Sequence, residues 1–113
     1  MPLRPRDLRL TRSGDIRKVF AGGKRVQDSH LRIIHLANHL GHPRFCVPVS
    51  RKVARSAVRR NRIRRRTREA ARPVLMAGTK GVDLVILPNR TVAEMPWPEL
   101  ERRLRQLLER ILT

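Results

Sequence analysis

The hydrophobic positions near the start of the chain follow a helical period and then a period of two. Ile16, Val19 and Phe20 recur at helical spacing, and Ser13 can cap the helix that contains them. From residue 24 to residue 37, alternate side chains point to opposite sides of an extended chain. The pattern therefore predicts a brief helix with Phe20 on its inner face, followed by strand structure.

Two further extended segments flank a long helical one. Residues 44–50 alternate between hydrophobic and polar, and Pro48 within them lacks an N–H, which favours an edge strand. Residues 81–88 are short and rich in β-branched side chains, as is typical of a buried strand. Between them, residues 56 to about 72 have a helical period, and Pro73 is expected to mark the end of that helix.

A last amphipathic helix begins at Pro98, a favourable first helical residue. Its hydrophobic residues fall on one arc of the helical wheel: Trp97, Leu100, Leu104, Leu107, Leu108 and Ile111. The segment 1–12 is basic, contains Pro5 and has no sustained period, so we predict a flexible arm there. The whole chain, 1–113, is predicted to be one α+β domain with the element order α-β-β-β-α-β-α.

The charge of the chain indicates a polyanionic partner. Its 113 residues include 27 Lys and Arg against 9 Asp and Glu, which gives a net charge of +18 with neutral histidines. Such a charge destabilises the compact state unless a polyanion neutralises it. Because 40% of the residues are hydrophobic, a disordered basic tail is excluded and a folded domain with a charged exterior is expected.

The central helix carries most of this charge on one side. Residues 57–72, AVRRNRIRRRTREAAR, hold eight arginines and a single acid, Glu69, so few intrahelical ion pairs are possible. Ile63 and Thr67 lie on the packing side. A separate stripe consists of Asn61, Arg65, Arg68 and Arg72, and the solvent side continues with Arg59, Arg62 and Arg66. The packing side is too weakly hydrophobic to enter a lipid surface, and guanidinium groups bind phosphates through a planar fork. Nucleic acid is therefore the predicted partner, and no binding to a membrane is expected.

The remaining residues favour binding over catalysis. The nine acids are scattered over different elements, and the four histidines, His30, His35, His39 and His42, match no zinc-binding spacing. We therefore predict no catalytic residue and no metal site in this chain. Aromatic residues are only 3% of the chain, so recognition should depend on phosphates and shape, with Phe20 either stacking on an unpaired base or packing in the core.

The single cysteine and the absence of a long apolar run predict where the protein works. Cys46 cannot form an internal disulfide, which is typical of a reducing compartment. The first residues lack the apolar segment of a secretion signal, and no stretch approaches the length needed to cross a membrane. A cytoplasmic protein is therefore expected.

The segment RFCVPVSRKVARSAVRRNRIRRRTREAAR closely resembles the bacterial ribonuclease P protein component. That family has a strand ending in a V-S-K-K-like run, here residues 49–52, followed by a helix that opens with R-N-R, here residues 60–62. The upstream GDIRKVFAGGKRV is similar to the family's first helix and following strand, and KGVDLVIL to its strand after the basic helix. The resemblance covers roughly residues 7 to 112.

The resemblance implies an α/β sandwich with a left-handed β-α-β crossover around the R-N-R helix. It also implies a subunit of an endoribonuclease that joins a catalytic RNA and helps to remove the 5′ leader of precursor tRNA. Magnesium would be held mainly by that RNA, none would be bound tightly by the protein, and no obligate protein partner is implied.

By position, the resemblance assigns two sets of residues. Contacts to the catalytic RNA would fall to Lys52, Arg59, Arg60, Asn61, Arg62, Arg65 and Arg68. The cleft for the single-stranded leader would involve Ile16, Phe20, Ile34 and Ser50. Since the family commonly has aromatic residues at the positions of Ile16 and Ile34, leader stacking is expected to depend on Phe20.

Two alternatives stay open at the level of sequence. The first is a ribosomal-type or chaperone RNA-binding protein without an associated ribozyme. The second is a self-sufficient metal nuclease that would use Asp15, Asp28 or Asp83.

Overall fold

The computed structural model describes residues 3–113, which contain three α-helices and four strands in the predicted order. The helices are α1 (Ser13–Gly22), α2 (Ala57–Met76) and α3 (Trp97–Leu112), and the strands are β1 (Lys24–Gln27), β2 (Leu31–Ala37), β3 (Arg44–Cys46) and β4 (Val82–Pro88). Two short 3-10 helices add to these elements, an N-terminal turn (Pro5–Leu8) and a bridging turn (Arg90–Ala93) between β4 and α3. The predicted α+β class is confirmed.

The strands form one sheet in the order β1-β2-β4-β3. β1 pairs antiparallel with β2, and β2 pairs antiparallel with β4. β3 and β4 are parallel neighbours joined through α2, so this helix is the crossover of a β-α-β unit. The left hand of that crossover stays a prediction.

Each face of the sheet has its own hydrophobic cluster. On one face, Ile33 and Leu84 pack in the main core with residues of α2 and α3, such as Ile63 and Leu104. On the other face, a smaller cluster consists of Leu10, Val19, Ile34 and Val85, with Ile16, Leu36, Cys46 and Leu87 partly buried around it. Residues 82–86 of β4 are all buried because both of its faces are covered, which explains why this segment is hydrophobic at every position except Asp83.

The end of α2 differs from the prediction. The helix continues through Pro73 to Met76 rather than ending at residue 72. Proline removes one backbone hydrogen bond, but Ala71 and Leu75 on either side of it are completely buried. Burying a leucine side chain contributes about 1.5 to 3 kcal/mol, which offsets much of the cost of a proline in the last turn.

The strand β3 is shorter than predicted because its ladder ends before Pro48. The regular strand covers Arg44–Cys46, although Val47 and Val49 continue the buried face of the alternating pattern. β3 lies at an edge of the sheet, as Pro48 indicated.

The N-terminal segment is packed against this edge, and the flexible arm predicted for residues 1–12 is wrong for its second half. The backbone N–H of Leu10 donates to the carbonyl of Phe45 at 3.0 Å, and Arg9 forms a parallel bridge with the same residue. Leu8 and Leu10 are 1% and 2% exposed and join the clusters on opposite faces of the sheet. Alternating leucines thus dock the segment as a short extension of the sheet. Residues 1 and 2 of the arm lie outside the described residues.

An ion pair fixes the register of β3 on β4. Arg44 and Asp83 are direct partners across the two strands, and the Arg44 guanidinium donates to the Asp83 carboxylate at 2.9 and 2.7 Å. Asn38 donates to the same carboxylate at 2.7 Å. The hydrogen bond that Arg44 donates to Asp83 raises the pKa of Arg44, against the opposing effect of burial. Asp83 is only 7% exposed, so these partners supply the hydrogen bonds that its carboxylate would otherwise form with water.

Replacing Asp83 with alanine should lower the free energy of unfolding by about 2 to 3 kcal/mol, because the mostly buried guanidinium of Arg44 loses its bidentate partner. Urea denaturation measures this change. The matched control is Glu101→Ala on the exposed side of α3, which should change stability by less than about 0.5 kcal/mol. Equal effects of the two substitutions would contradict the role given to the Arg44–Asp83 pair.

Candidate nucleic-acid interface

The orientation of α2 is set by its buried side. Ser56 caps the helix, its hydroxyl accepting a hydrogen bond from the backbone N–H of Arg59 at 3.3 Å. The buried residues of the helix are Ile63, Thr67, Ala70, Ala71 and Leu75, close to the predicted packing side. The hydroxyl of Thr67 donates to the carbonyl of Ile63 at 2.8 Å, so no polar atom is lost by burying it.

Opposite this side, α2 presents a basic face that we define as Asn61, Arg62, Arg64, Arg65 and Arg68. Together with Val58 these residues line a shallow groove of about 480 Å³. Arg64 donates to the side-chain oxygen of Asn61 at 2.7 Å. Arg65 and Arg68 form no ion pair and no side-chain hydrogen bond with any residue in the range 3–113. Their guanidinium groups are therefore available to an outside anion.

A second cationic surface lies where the preceding loop meets the start of α2. Lys52 and Arg59, both predicted to contact RNA, line a groove of about 570 Å³. Arg51, Arg55 and Arg90 line it with them, and none of these three was predicted. Arg51 and Arg55 could have been inferred from their closeness to Lys52, but Arg90 arrives from the bridging turn and has no signal in the sequence.

Two of the predicted RNA-binding arginines also make contacts within the protein. Arg60 donates to the carbonyls of Ala54 and Arg55 at 3.1 and 2.7 Å, which orders the loop before α2. Arg62 donates through Nε to the carbonyl of Ala93 at 2.8 Å. These hydrogen bonds use neutral acceptors, which leaves the charge of Arg60 intact, whereas Arg62 also lies 3.9 Å from the carboxylate of Glu94.

Arg66 is placed differently from the solvent-facing position that its helical spacing predicts. Its guanidinium donates to the carbonyls of Val92, Ala93 and Met95. It also lies over the ring of Trp97, 5.9 Å from the centroid, a cation–π geometry. The bridging turn ends at Ala93, so Arg66 donates to carbonyls at and just beyond the end of that turn. Arg66 therefore joins α2 to α3, and Trp97, 37% exposed, is only partly in the core.

Arg68 also lines a third groove, of about 400 Å³, between α2, β3 and the N-terminal segment. Arg9, Arg72 and Cys46 face the same space. Burial, together with the nearby guanidiniums of Arg64, Arg72 and Arg9, lowers the pKa of Arg68. Burial also raises the pKa of the Cys46 thiol to about 11, so it is protonated at neutral pH. Arg9 was missed because its segment was predicted to be flexible.

The four residues predicted for a leader cleft are spread over three environments. Ile16 and Ile34 belong to the smaller hydrophobic cluster, but Ile34 is only 2% exposed and lies beneath the surface. Phe20 is 45% exposed on α1. Ser50 is exposed in the loop before α2, where its carbonyl accepts the N–H of Val53 at 3.1 Å.

The prediction that Phe20 lies on the inner face of α1 is wrong, because Val19 occupies that face and is completely buried. The close approach of the chain at Gly23 explains why Val19, and not Phe20, is buried. A Cβ atom at Gly23 would lie 2.8 Å from a methyl group of Ile34 and 2.5 Å from the carbonyl of Val19, so the end of α1 is held tightly against β2. Helical spacing then turns Phe20 toward solvent, where its ring is accessible.

The aspartates considered for a nuclease are engaged with arginines. Asp15 and Asp83 lie 3.6 and 2.7 Å from Arg44, and Asp28 lies 3.3 Å from Arg103. Within residues 3–113, no group of three or more His, Cys, Asp or Glu side chains is arranged to hold a metal ion. None of the helices in this part of the chain is long and apolar enough to span a membrane.

Comparison with known proteins places this arrangement in a family. The family model described as Ribonuclease P matches residues 4–112. The ribonuclease P protein component of Pelotomaculum thermopropionicum is 39% identical over 101 residues, covering 89% of each chain. The protein of the same name from Cronobacter sakazakii is 34% identical over 106 residues, covering 94% of this chain and 88% of its own.

Solved structures agree with the sequence relatives. The RNase P protein from Thermotoga maritima superposes with a TM-score of 0.72 at 26% identity, covering 92% of this chain and 94% of that one. The RNase P protein from Staphylococcus aureus shares the fold, with a TM-score of 0.78 at 22% identity over 92% of this chain and 94% of that one. With a family match over nearly its whole length and relatives above 30% identity, the chain belongs to the ribonuclease P protein family.

Proposed function

We propose that this chain is the protein subunit of a bacterial ribonuclease P. In this role it binds a catalytic RNA and the 5′ leader of precursor tRNA, and assists the endonucleolytic removal of that leader. The observation that carries the proposal is the division of α2 into a buried side and a basic face on which Arg65 and Arg68 have no partner within residues 3–113. The work would take place in the cytoplasm.

The cationic surfaces are proposed to contact the catalytic RNA. The residues concerned are Lys52, Arg59, Arg60, Asn61, Arg62, Arg65 and Arg68. Arg65 and Arg68 would bind phosphates directly because their guanidiniums are uncommitted, whereas Arg60 and Arg62 would add charge from fixed positions. Magnesium, held mainly by the RNA, would supply the hydrolytic chemistry.

The leader is proposed to bind on the α1 side of the sheet. The exposed ring of Phe20 offers a stacking surface for an unpaired base, and Ile16 flanks the hydrophobic cluster near it. Ile34 would support this surface from below rather than touch the leader. Ser50 lies at the start of the loop that contains Arg51, Lys52 and Arg55, where a phosphate of the leader could pass.

The net charge explains what such a subunit adds to an RNA enzyme. Catalytic RNA and precursor tRNA are both polyanions, and a protein of charge +18 lowers their mutual repulsion. Magnesium ions in solution do the same when their concentration is high. The protein should therefore matter most when magnesium is scarce.

Adding the protein should lower the magnesium concentration at which a bacterial ribonuclease P RNA cuts precursor tRNA. Cleavage rates measured over a magnesium titration, with and without the protein, test this. An unchanged titration curve would instead favour a ribosomal-type or chaperone RNA-binding protein. Cleavage by the protein without RNA would favour a nuclease.

Replacing Arg65 and Arg68 together with glutamine should weaken binding to the catalytic RNA and make its salt dependence shallower by about one to two in log–log slope, since up to two phosphate contacts are lost. Filter binding at several salt concentrations measures both quantities. The matched control removes the same charge from α3, Arg102→Gln with Arg105→Gln, where both side chains are exposed. A loss of equal size in the control would mean that net charge alone matters.

Replacing Phe20 with alanine should weaken binding of leader-bearing precursor tRNA to the holoenzyme by about 1 to 3 kcal/mol, the usual value of one stacked base, and leave mature tRNA unaffected. Leu40→Ala is the control, since Leu40 is a comparably exposed hydrophobic residue, 50% against 45%, in the loop between β2 and β3 rather than on α1. Equal losses for precursor and mature tRNA would refute the leader assignment.

A further inference from the structure

The bridging turn holds one carboxylate at the edge of the basic face. Ala93 and Met95, the neighbours of Glu94, are buried, and their carbonyls accept hydrogen bonds from Arg66. The Ala93 carbonyl also accepts from Arg62. The backbone of Glu94 is thus anchored on both sides, while its side chain is 67% exposed.

The carboxylate of Glu94 lies between two arginines of α2. One oxygen is 3.6 Å from Arg59 and the other is 3.9 Å from Arg62. In the part of the chain that the structure describes, Glu94 is the sole carboxylate that forms ion pairs with arginines of α2. Both arginines belong to the set proposed to contact the catalytic RNA.

These ion pairs contribute little to stability. Exposed pairs of this kind stabilise a fold only weakly, and both distances exceed those of strong charge-assisted hydrogen bonds. The carboxylate therefore acts chiefly on what approaches from outside. It reduces the local charge of the two arginines from about +2 to about +1, and it repels a phosphate at the same place.

The chemistry of a carboxylate also discriminates among nucleic acids. An ionised Glu only accepts hydrogen bonds, so it has no attraction for phosphate oxygens. It can accept a hydrogen bond from a ribose 2′-hydroxyl or from an exocyclic amine of a base. An acceptor inside a cationic surface therefore disfavours a generic polyanion more than an RNA that presents a hydrogen-bond donor there.

We propose that Glu94 is a specificity-determining residue of the RNA-binding surface, which repels arbitrary phosphates from Arg59 and Arg62 and accepts a hydrogen bond from the cognate RNA. This inference rests on the proposed function of the same surface. An acidic residue outside α2 thus limits the non-specific binding of nucleic acids by a protein of charge +18.

The test compares Glu94→Gln with Glu101→Gln, which has the same net charge but places the change on the exposed side of α3. Two probes are used with the full chain, a bacterial ribonuclease P RNA and a DNA duplex of unrelated sequence, which lacks 2′-hydroxyls. Kd is measured for each at several salt concentrations. Circular dichroism melting confirms that each variant is folded.

Glu94→Gln is expected to tighten duplex binding about three-fold or more at low salt, with a slope steeper by up to about one, because one more phosphate can be neutralised. Affinity for the ribonuclease P RNA should rise less or fall, so the preference for RNA decreases. Glu101→Gln should leave that preference at its original value.

An unchanged preference in Glu94→Gln, with the original chain clearly preferring ribonuclease P RNA, would overturn the inference while leaving the proposed function intact. An original chain without any such preference would instead count against the proposed function. In that case the duplex measurement still decides whether Glu94 repels phosphate, since equal duplex affinities of the two variants would refute it.

Discussion

Burial of one side of α2 is the constraint on which the rest of this molecule depends. Eight arginines in Ser56 to Arg72 repel one another, and the helix has almost no acidic residues to relieve that repulsion. Two exposed charges at 4 Å cost about 1 kcal/mol in water, and salt screens pairs more than about 8 Å apart. Complete burial of Ile63 and Leu75 alone contributes more than this per side chain. The packing free energy therefore exceeds the repulsion between the arginines, and their charges are held at fixed places on the opposite side of the helix.

The fold satisfies several of these arginines without neutralising them. Arg60, Arg62 and Arg66 donate hydrogen bonds to backbone carbonyls, and of these three Arg62 also lies 3.9 Å from a carboxylate, that of Glu94. A carbonyl fills the hydrogen-bonding capacity of a guanidinium but carries no net charge, so the positive field survives for an external partner. The contacts also connect α2 to the loop before it and to the bridging turn. The arginine surface is thus rigid as well as charged, which lowers the entropy lost when a polyanion binds.

The sequence was sufficient for features that depend on local periodicity. The order of elements, the buried side of α2 and the edge position of β3 all follow from spacing and from Pro48. What it could not predict depends on contacts distant along the chain. The spacing of Arg66 favours solvent, but carbonyls at the end of the bridging turn draw it inward. Too few hydrophobic residues lie near Leu8 and Leu10 in the sequence for a pattern to indicate a packed segment. These leucines are buried because the uncovered edge of β3 offers a place to dock.

The docked N-terminal segment connects the two proposed RNA-binding regions. Arg68 lines both the groove of the basic face and the groove that contains Arg9 and Cys46. Cys46 in turn packs against the hydrophobic cluster that includes Ile16 below α1. Arginines of α2 and of the N-terminal segment therefore meet at the β3 edge of the sheet, next to the cluster that α1 covers. This arrangement is consistent with the proposal of a single path for nucleic acid, since a strand whose phosphates followed the arginines of α2 to the β3 edge would approach the side of the sheet on which α1 carries Phe20.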